Sequence, residues 1–466
     1  MGQRTRHAQE PQEERCCTWW TSLALVFAMA LVVLFIELIV VMSRPEPLPS
    51  TLFRPNATLF RRIHTPGKNV PCLYDIHATN KFVRARRLPD RLEQLRNATN
   101  NTVTKIRELD APLFPHKTNS TGIVLTCRLG PLCLANLHHL FDNMNITLPV
   151  GLSPPFPSSM HMILLFFHDV FWGTELWLKR SQTRNEELLL LERTFHNKPL
   201  AIRFFDDFDK QYFDFFGKVD KFRRLCFFYL KLQAMVCSQF QRVLLVDDDA
   251  FLLQDPRVVI ESKLAQQTGT LFWHDMYAIH HDNLIWQVLD VPPREGLAGE
   301  SGVVFLDKEV AWQALYLAAF MNNKQSIFNR MLWGDKDTFF LACERLGIPY
   351  SFVPYPPYSI GYSRWSQIAF LQSDTHGVPF FIHLVSGKRY SSSLFGFEQF
   401  ETILTYDPDK AHLCGGLIGS LFTVCKEKGG WSRYVSTRAI GNVHKFIGKA
   451  YRTASQELNT IPPQIE

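Results

Sequence analysis

Hydrophobic and polar positions divide the chain into stretches of distinct texture. From Trp19 to Met42 nearly every residue is apolar, with Glu37 the single charge. These 24 residues, at about 1.5 Å each, make a helix of roughly 36 Å, enough to cross a hydrocarbon core of about 30 Å. Residues 43–120 are rich in Pro, Asn, Thr and Arg with weak periodicity, the texture of a stem. Gly122 to Cys127 is a short apolar run that predicts the first strand of an α/β domain, and Met160 to Phe167 is a second such run. Phe222, Leu225, Cys226, Tyr229, Leu232, Met235, Val236 and Phe240 recur at helical spacing. They predict an amphipathic helix of about twenty residues. Val243 to Val246 follows at once, apolar on both faces, and stops at Asp247-Asp248-Asp249. A helix feeding a buried strand predicts a parallel α/β sheet, whose ligands bind beyond the carboxyl ends of its strands. Further on, Val303 to Leu306 predicts another buried strand, and a helix runs from Asp335-Lys336-Asp337 through Leu346. Residues 401–466 predict no more than a helical cap.

The flanks of the first apolar stretch bear on topology. A cleaved signal peptide would have a shorter core and an A-x-A-like end, whereas Val40-Val41-Met42 leads into Ser43-Arg44-Pro45. Charge does not orient the span, because Arg4, Arg6 and Arg15 precede it while Arg44, Arg54, Arg61 and Arg62 follow it. The glycosylation sequons do: Asn56, Asn97, Asn100, Asn119 and Asn145 all lie beyond it. The expected organisation is a cytoplasmic tail (1–18), a membrane anchor (19–42), a lumenal stem (43–120), a catalytic domain (121–400) and a C-terminal extension (401–466). Cys16 and Cys17 sit at the membrane edge, open to acylation or simply inert. The other eight cysteines suit an oxidising compartment, with Cys414 and Cys425 the easiest pair to imagine, and no spacing resembles a zinc site.

Composition narrows the class without choosing a function. The chain has 466 residues, 46% of them hydrophobic, with 38 phenylalanines, which fits a large filled core. The net charge of +6 is small for this length and has no concentrated basic block, so no nucleic-acid partner is expected.

The acidic triplet carries the candidate chemistry. Side chains two apart in extended backbone share a face, so Asp247 and Asp249 converge while Asp248 points away. Two adjacent carboxylates repel unless a proton or cation intervenes. Hard oxygen ligands with open positions suit Mg²⁺ or Mn²⁺, with substrate phosphates completing the octahedron. The competing reading is an acidic turn that merely closes a strand. A haloacid-dehalogenase phosphatase signature, D-x-D-x-T or D-x-D-x-V, fails because Phe251 follows Ala250.

The stretch VLLVDDDAFLLQDP at 243–256, followed by LFWHDM at 271–276, resembles the core of the fungal Golgi mannosyltransferases of glycosyltransferase family 71. GIVLTC at 122–127, GESGVVFLDK at 299–308 and WGDKDTFFLACERLGIPY at 333–350 agree with that family in order and spacing. The resemblance covers residues 120–390. It implies a GT-A fold, a Golgi type II membrane enzyme, retention of anomeric configuration, GDP-mannose as donor and a mannose-containing glycan or glycoprotein as acceptor. A UDP-sugar donor and a non-catalytic, lectin-like ectodomain are the rival readings.

The same resemblance implies roles for particular residues. Asp247 would contact ribose or metal, with Asp248 beside it, and Asp249 would ligate the metal. Asp248 departs from the small or hydrophobic middle residue that is common at this position. Glu300 would touch a sugar hydroxyl and Gly302 would let the backbone approach the sugar, unless both simply begin a strand. Asp337, then Asp335, would stand beside the donor's reacting carbon, although an acid at a helix start also caps it. His383 as metal ligand and Lys388 on the diphosphate are similar to, but not spaced as, the His-x-x-Gly-x-x-Lys of glycogenin-like enzymes. Lys231 could face donor phosphate or, the better reading, lie on a solvated helix face. Trp273, His274 and Asp275 would line the acceptor side.

Overall fold

The computed structural model describes residues 89–127, 129–144, 171–219, 228–275, 279, 281–294, 296–355, 357–363, 366–384, 402–406, 431–436 and 443–461. The span 19–42, the run 160–167, Asn56, Asn145, Lys388 and cysteines 16, 17, 72, 226, 414 and 425 lie outside these residues. Among the described residues no helix is long and apolar enough to cross a membrane.

The core of the fold is a seven-stranded mixed sheet. Strand β1 (Lys117–Thr126) runs parallel to β2 (Phe171–Leu178) on one side and to β4 (Phe240–Asp247) on the other, and β3 (Leu200–Phe204) lies parallel beyond β2. Strands β6 (Thr270–His274), β7 (Gly299–Asp307) and β8 (Ser351–Phe352) complete it in the order β3-β2-β1-β4-β7-β6-β8. The expected parallel sheet is broken by one reversed strand: β7 runs antiparallel to both β4 and β6, with Val246 opposite Val303, while β6 and β8 pair in parallel. The double-faced apolar character of β4 has a direct cause. Leu244 and Val246 enter one hydrophobic core while Val243 and Leu245 enter another, on the opposite face. Each such fully buried aliphatic side chain contributes about 1.5–3 kcal/mol.

A second sheet, antiparallel throughout, has the order β13-β12-β9-β10-β11-β5. Its strands are β5 (Ala250–Leu252), β9 (Tyr358–Ser363), β10 (Ser366–Ser373), β11 (Pro379–His383), β12 (Thr402–Tyr406) and β13 (Trp431–Ser436). The chain passes from the first sheet to the second at the acidic triplet, between β4 and β5.

Three boundaries differ from those expected. Residues 89–107 form a helix, α1 (Pro89–Arg107), and not part of a stem. Leu95, Thr99, Val103 and Ile106 make one buried stripe on it, hidden in the sequence by the Asn- and Thr-rich remainder. The helix before β4 is α3 (Phe228–Cys237), with α2 being Pro131–His138, and it ends before Phe240. Phe240 is drawn into β4 by its pairing with Lys117, and its ring fills the space that a side chain at Gly122 would need. Finally, β12 and β13 belong to the second sheet, so among the described residues of the C-terminal extension only the last stretch is a helical cap. That part is α6 (Val443–Asn459), named after α4 (Lys308–Asn323) and α5 (Thr338–Leu346). Ala450, Tyr451 and Ala454 of α6 share a core with Leu134 and Leu137 of α2.

Cys127 and Cys133 form a disulfide joining the end of β1 to α2, a pairing the spacing did not single out. Cys237 and Cys343 are buried free thiols. Of the described sequon residues, Asn97 on α1 and Asn119 on β1 are exposed, whereas Asn100 Oδ1 accepts a hydrogen bond from Arg345 at 2.9 Å.

Candidate active site

The acidic turn between β4 and β5 is fastened through its backbone. Asn136, buried on α2, donates through Nδ2 to the carbonyl oxygens of Ala250 at 2.7 Å and Asp247 at 3.0 Å. His139 Nε2 lies 2.6 Å from the carbonyl of Leu252. Burial lowers the His139 pKa to about 4, so the ring is neutral and donates to that carbonyl. On the far side, β11 pairs with β5 in a register that sets His383 opposite Ala250, and the Leu384 N–H donates to the Asp249 carbonyl at 2.9 Å. The turn is thus held by the α2 segment on one side and by β11, far downstream in the chain, on the other.

Side chains converge on this frame as the period-two argument requires. Asp247 and Asp249 are both buried, and Asp248 is half-buried. Ligand atoms of Asp247, Asp249 and His383 all lie within 4.8 Å of one another. His383 Nε2 is 3.4 Å from Asp249 Oδ1, and its Nδ1 is 3.0 Å from Glu300 Oε1. Burial, with the neighbouring Asp249 adding to it, outweighs Lys231 and raises the Asp247 pKa to about 7. For Glu300 the balance is reversed. Burial would raise it, but the His383 ring and the Gly302 N–H prevail and hold its carboxyl at about 2. Burial disfavours the charged imidazole of His383, yet Glu300 and Asp249 together push its pKa up.

Two lysines bridge pairs of acids at the edges of this cluster. Lys231 Nζ lies 2.6 Å from Asp247 and 3.1 Å from Asp335. Lys336 Nζ lies 2.9 Å from Asp275 and 3.1 Å from Asp337. In both, burial opposes the charged form and the acids outweigh it, raising the pKa. Asp337 Oδ1 also accepts from the Gly299 N–H at 3.0 Å, which ties the start of α5 to the start of β7. Although Asp337 stands at the N-cap of α5, its side chain makes no capping bond. Six carboxylates (Asp247, Asp249, Asp275, Glu300, Asp335 and Asp337) meet two ammonium groups and one imidazole here. The surplus negative charge, and a buried Asp247 Oδ1 that accepts no hydrogen bond from the described residues, suit a divalent cation. Two carboxylates and one imidazole with ligand atoms this close make a set that could hold a divalent metal ion.

Residues 190–290 and 296–379 match the model of a family described as "Mannosyltransferase putative". The chain is a glycosyltransferase. The matched segments contain Lys231, the acidic triplet, Glu300, Asp335 and Asp337. No curated protein matches the chain. Among solved structures, mouse xyloside xylosyltransferase 1 in its apo form is similar over 50% of this chain and 84% of its own, at 13% identity and TM-score 0.33. The galactosyltransferase LgtC, in complex with donor and acceptor sugar analogs, is similar over 50% of this chain and 73% of its own, at 10% identity and TM-score 0.33. GlyE of Streptococcus pneumoniae is similar over 50% of this chain and 45% of its own, at 10% identity and TM-score 0.27.

Several expected placements are revised. Lys231 is not on a solvated face: α3 is covered on both sides, and the lysine is drawn inward by two acids. Gly302 stands against the imidazole of His383, where a Cβ would fall 2.6 Å from Nδ1. Trp273 does not line an acceptor surface. It is fully buried, stacked on Phe380 at a centroid distance of 5.6 Å, and donates through Nε1 to the Ser373 carbonyl at 2.7 Å. The alternation along β6 sends Leu271 and Trp273 into the core between the sheets. His274 is buried on the other face, its ring stacked 4.5 Å from that of Phe352. Asp275 alone of the three joins the charged cluster. Lys336, Asn136 and His139 had no role in the sequence reading. The signal for the last two was present, since Asn136, His138 and His139 interrupt the otherwise apolar stretch 131–141, Asn136 and His139 at helical spacing.

Proposed function

We propose that this chain is a retaining mannosyltransferase of the family 71 kind, moving mannose from GDP-mannose to a hydroxyl of a mannose-containing glycan. The observation that carries the reading is the convergence of Asp247, Asp249 and His383 at the crossing between the two sheets, the two aspartates lying inside the mannosyltransferase match and His383 just beyond its end. The sheet carrying the acidic turn at a strand end also supports a GT-A fold. In the reaction the bond from the sugar C1 to the diphosphate oxygen breaks, a bond from C1 to the acceptor oxygen forms, and the acceptor hydroxyl gives up its proton on the side of the departing diphosphate. Negative charge therefore grows on the departing diphosphate while the sugar becomes oxocarbenium-like.

Asp247, Asp249 and His383 would hold Mn²⁺ or Mg²⁺. That ion, when bound, offsets the charge developing on the leaving group. Lys231 bridges Asp247 and Asp335, and Lys336 bridges Asp275 and Asp337, so each ammonium holds two acids close together. Asp335 and Asp337 are the acids assigned to the sugar side of the site, and Lys388 is assigned to the diphosphate. Residues 19–42 would anchor the enzyme in the Golgi membrane as a type II protein, with the remainder lumenal.

A donor panel on the purified full-length protein tests this. Transfer or hydrolysis of GDP-mannose should require a divalent metal and should be lost in Asp249→Ala. Equal turnover in EDTA would remove the metal mechanism, and preference for a UDP-sugar would replace the donor.

A further inference from the structure

Glu300 opens the buried strand β7 at a position where a carboxylate could have faced a sugar. Its Oε1 turns elsewhere. It accepts from the backbone N–H groups of Ser301 at 2.7 Å and Gly302 at 2.6 Å, and it lies 3.0 Å from Nδ1 of His383. Across the same ring, Nε2 points to Asp249 Oδ1 at 3.4 Å. The face of the ring rests on Gly302, where any Cβ would meet Nδ1, Cγ and Cε1 at 2.6, 2.8 and 3.0 Å. The backbone of His383 is fixed independently by the pairing of β11 with β5. One imidazole is therefore backed at its face by Gly302, fixed through its main chain, and approached at Nδ1 by the Glu300 carboxylate.

An imidazole can offer a lone pair to a cation from one nitrogen only when its proton is on the other. A carboxylate set on Nδ1 keeps the proton there and leaves Nε2 facing Asp247 and Asp249. We infer that Glu300 and Gly302 form a cradle that aims His383 at the metal position, Glu300 acting as a positioning residue that does not touch the sugar. The pairing is geometric on both sides. The two backbone N–H groups fix the Glu300 carboxylate, and the missing Cβ at Gly302 lets the ring come close enough to reach it. This inference rests on the metal reading proposed above and adds to it two residues and the work they do.

Manganese uptake separates the two claims. Free Mn²⁺ is followed by electron paramagnetic resonance as full-length wild type, Glu300→Ala, Glu300→Gln and Gly302→Ala are titrated. Glu300→Ala should bind Mn²⁺ about 10- to 100-fold more weakly, the usual effect of losing such a partner. Glu300→Gln, whose amide oxygen can take the same place beside Nδ1, should lose much less. Gly302→Ala should weaken binding without altering the carboxylate, so the proposal stays open to test even if Glu300→Ala does not fold. Raising Mn²⁺ should restore most of the kcat of Glu300→Ala. Wild-type-like Mn²⁺ affinity in Glu300→Ala, with turnover lost at every Mn²⁺ concentration, would overturn the inference and place Glu300 on the substrate. No Mn²⁺ uptake by the wild type would overturn the metal reading itself, and the cradle with it.

Discussion

The ammonium of Lys231 lies 2.6 Å from the carboxylate of Asp247, one of the three side chains whose ligand atoms cluster at the acidic turn. The same ammonium lies 3.1 Å from Asp335, so it neutralises two acids that would otherwise repel each other in a mostly buried site. Removing one partner of such a group leaves uncompensated buried charge, at a cost of about 3–5 kcal/mol. Lys231→Met should accordingly melt several degrees below wild type in EDTA. Added Mn²⁺ should raise the melting temperature of the variant by more than that of the wild type, because the cation takes over part of the lost neutralisation. Equal shifts in a thermal-melt comparison would show that Lys231 and the cation do not share the same acids.

Asn136 is predicted to act through backbone alone. Its amide satisfies the buried carbonyls of Asp247 and Ala250, and leaving such groups without a donor costs about 1–3 kcal/mol each. Asn136→Leu should lower stability by roughly that amount and should weaken Mn²⁺ binding. Asn136→Asp should be worse, since an ionised aspartate donates nothing and adds charge to a site already in excess. Chemical denaturation with parallel Mn²⁺ titration checks both, and a variant that keeps wild-type metal affinity would free the turn from α2.

What could be read in advance follows the range of the interactions. The convergence of Asp247 and Asp249 is local, fixed by the two-residue period of extended backbone, and it holds in the fold. The arrival of His383 is not local, because it depends on β11 pairing with β5 in a second sheet that no periodicity announced. Lys231 read as solvated because an amphipathic pattern has one polar face, yet α3 is buried on both and the lysine is held by charge. For Asp337 a helix cap was the competing reading to a place beside the donor's reacting carbon, but its carboxylate makes no capping bond and pairs with Gly299 and Lys336. The stripe of α1 was masked by Asn and Thr on its exposed faces, and Thr99 within the stripe satisfies its hydroxyl on the Leu95 carbonyl at 2.8 Å.

His139 makes folding sensitive to acid. Its folded pKa, lowered by burial to about 4 from the ordinary 6.5, lies below that of the unfolded chain. As pH falls through 6.5 the unfolded chain gains a proton that the folded chain refuses, so stability declines until about pH 4. Across that window the group accounts for a loss on the order of 3 kcal/mol. Gln at this position can donate to the Leu252 carbonyl without titrating. Urea unfolding of wild type and His139→Gln at several pH values should give curves that diverge below pH 6.5, the wild type falling faster. Parallel curves would mean that the ring is protonated inside the fold.

Trp273 provides the sharpest contrast between a residue in the core and one facing substrate. With its ring stacked on Phe380 and its Nε1–H satisfied by the Ser373 carbonyl, it ties β6 of the first sheet to β10 and β11 of the second. Trp273→Ala should cost about 3–5 kcal/mol, the range for emptying a large aromatic site. Trp273→Phe should cost less, since it retains most of the ring and loses one hydrogen bond. Because Trp273 is separated from solvent, the folded Phe variant should keep the acceptor KM of the wild type while its melting temperature falls. A raised acceptor KM in a variant of unchanged stability would return this tryptophan to the acceptor side, and would require β6 to present the opposite face in the working enzyme.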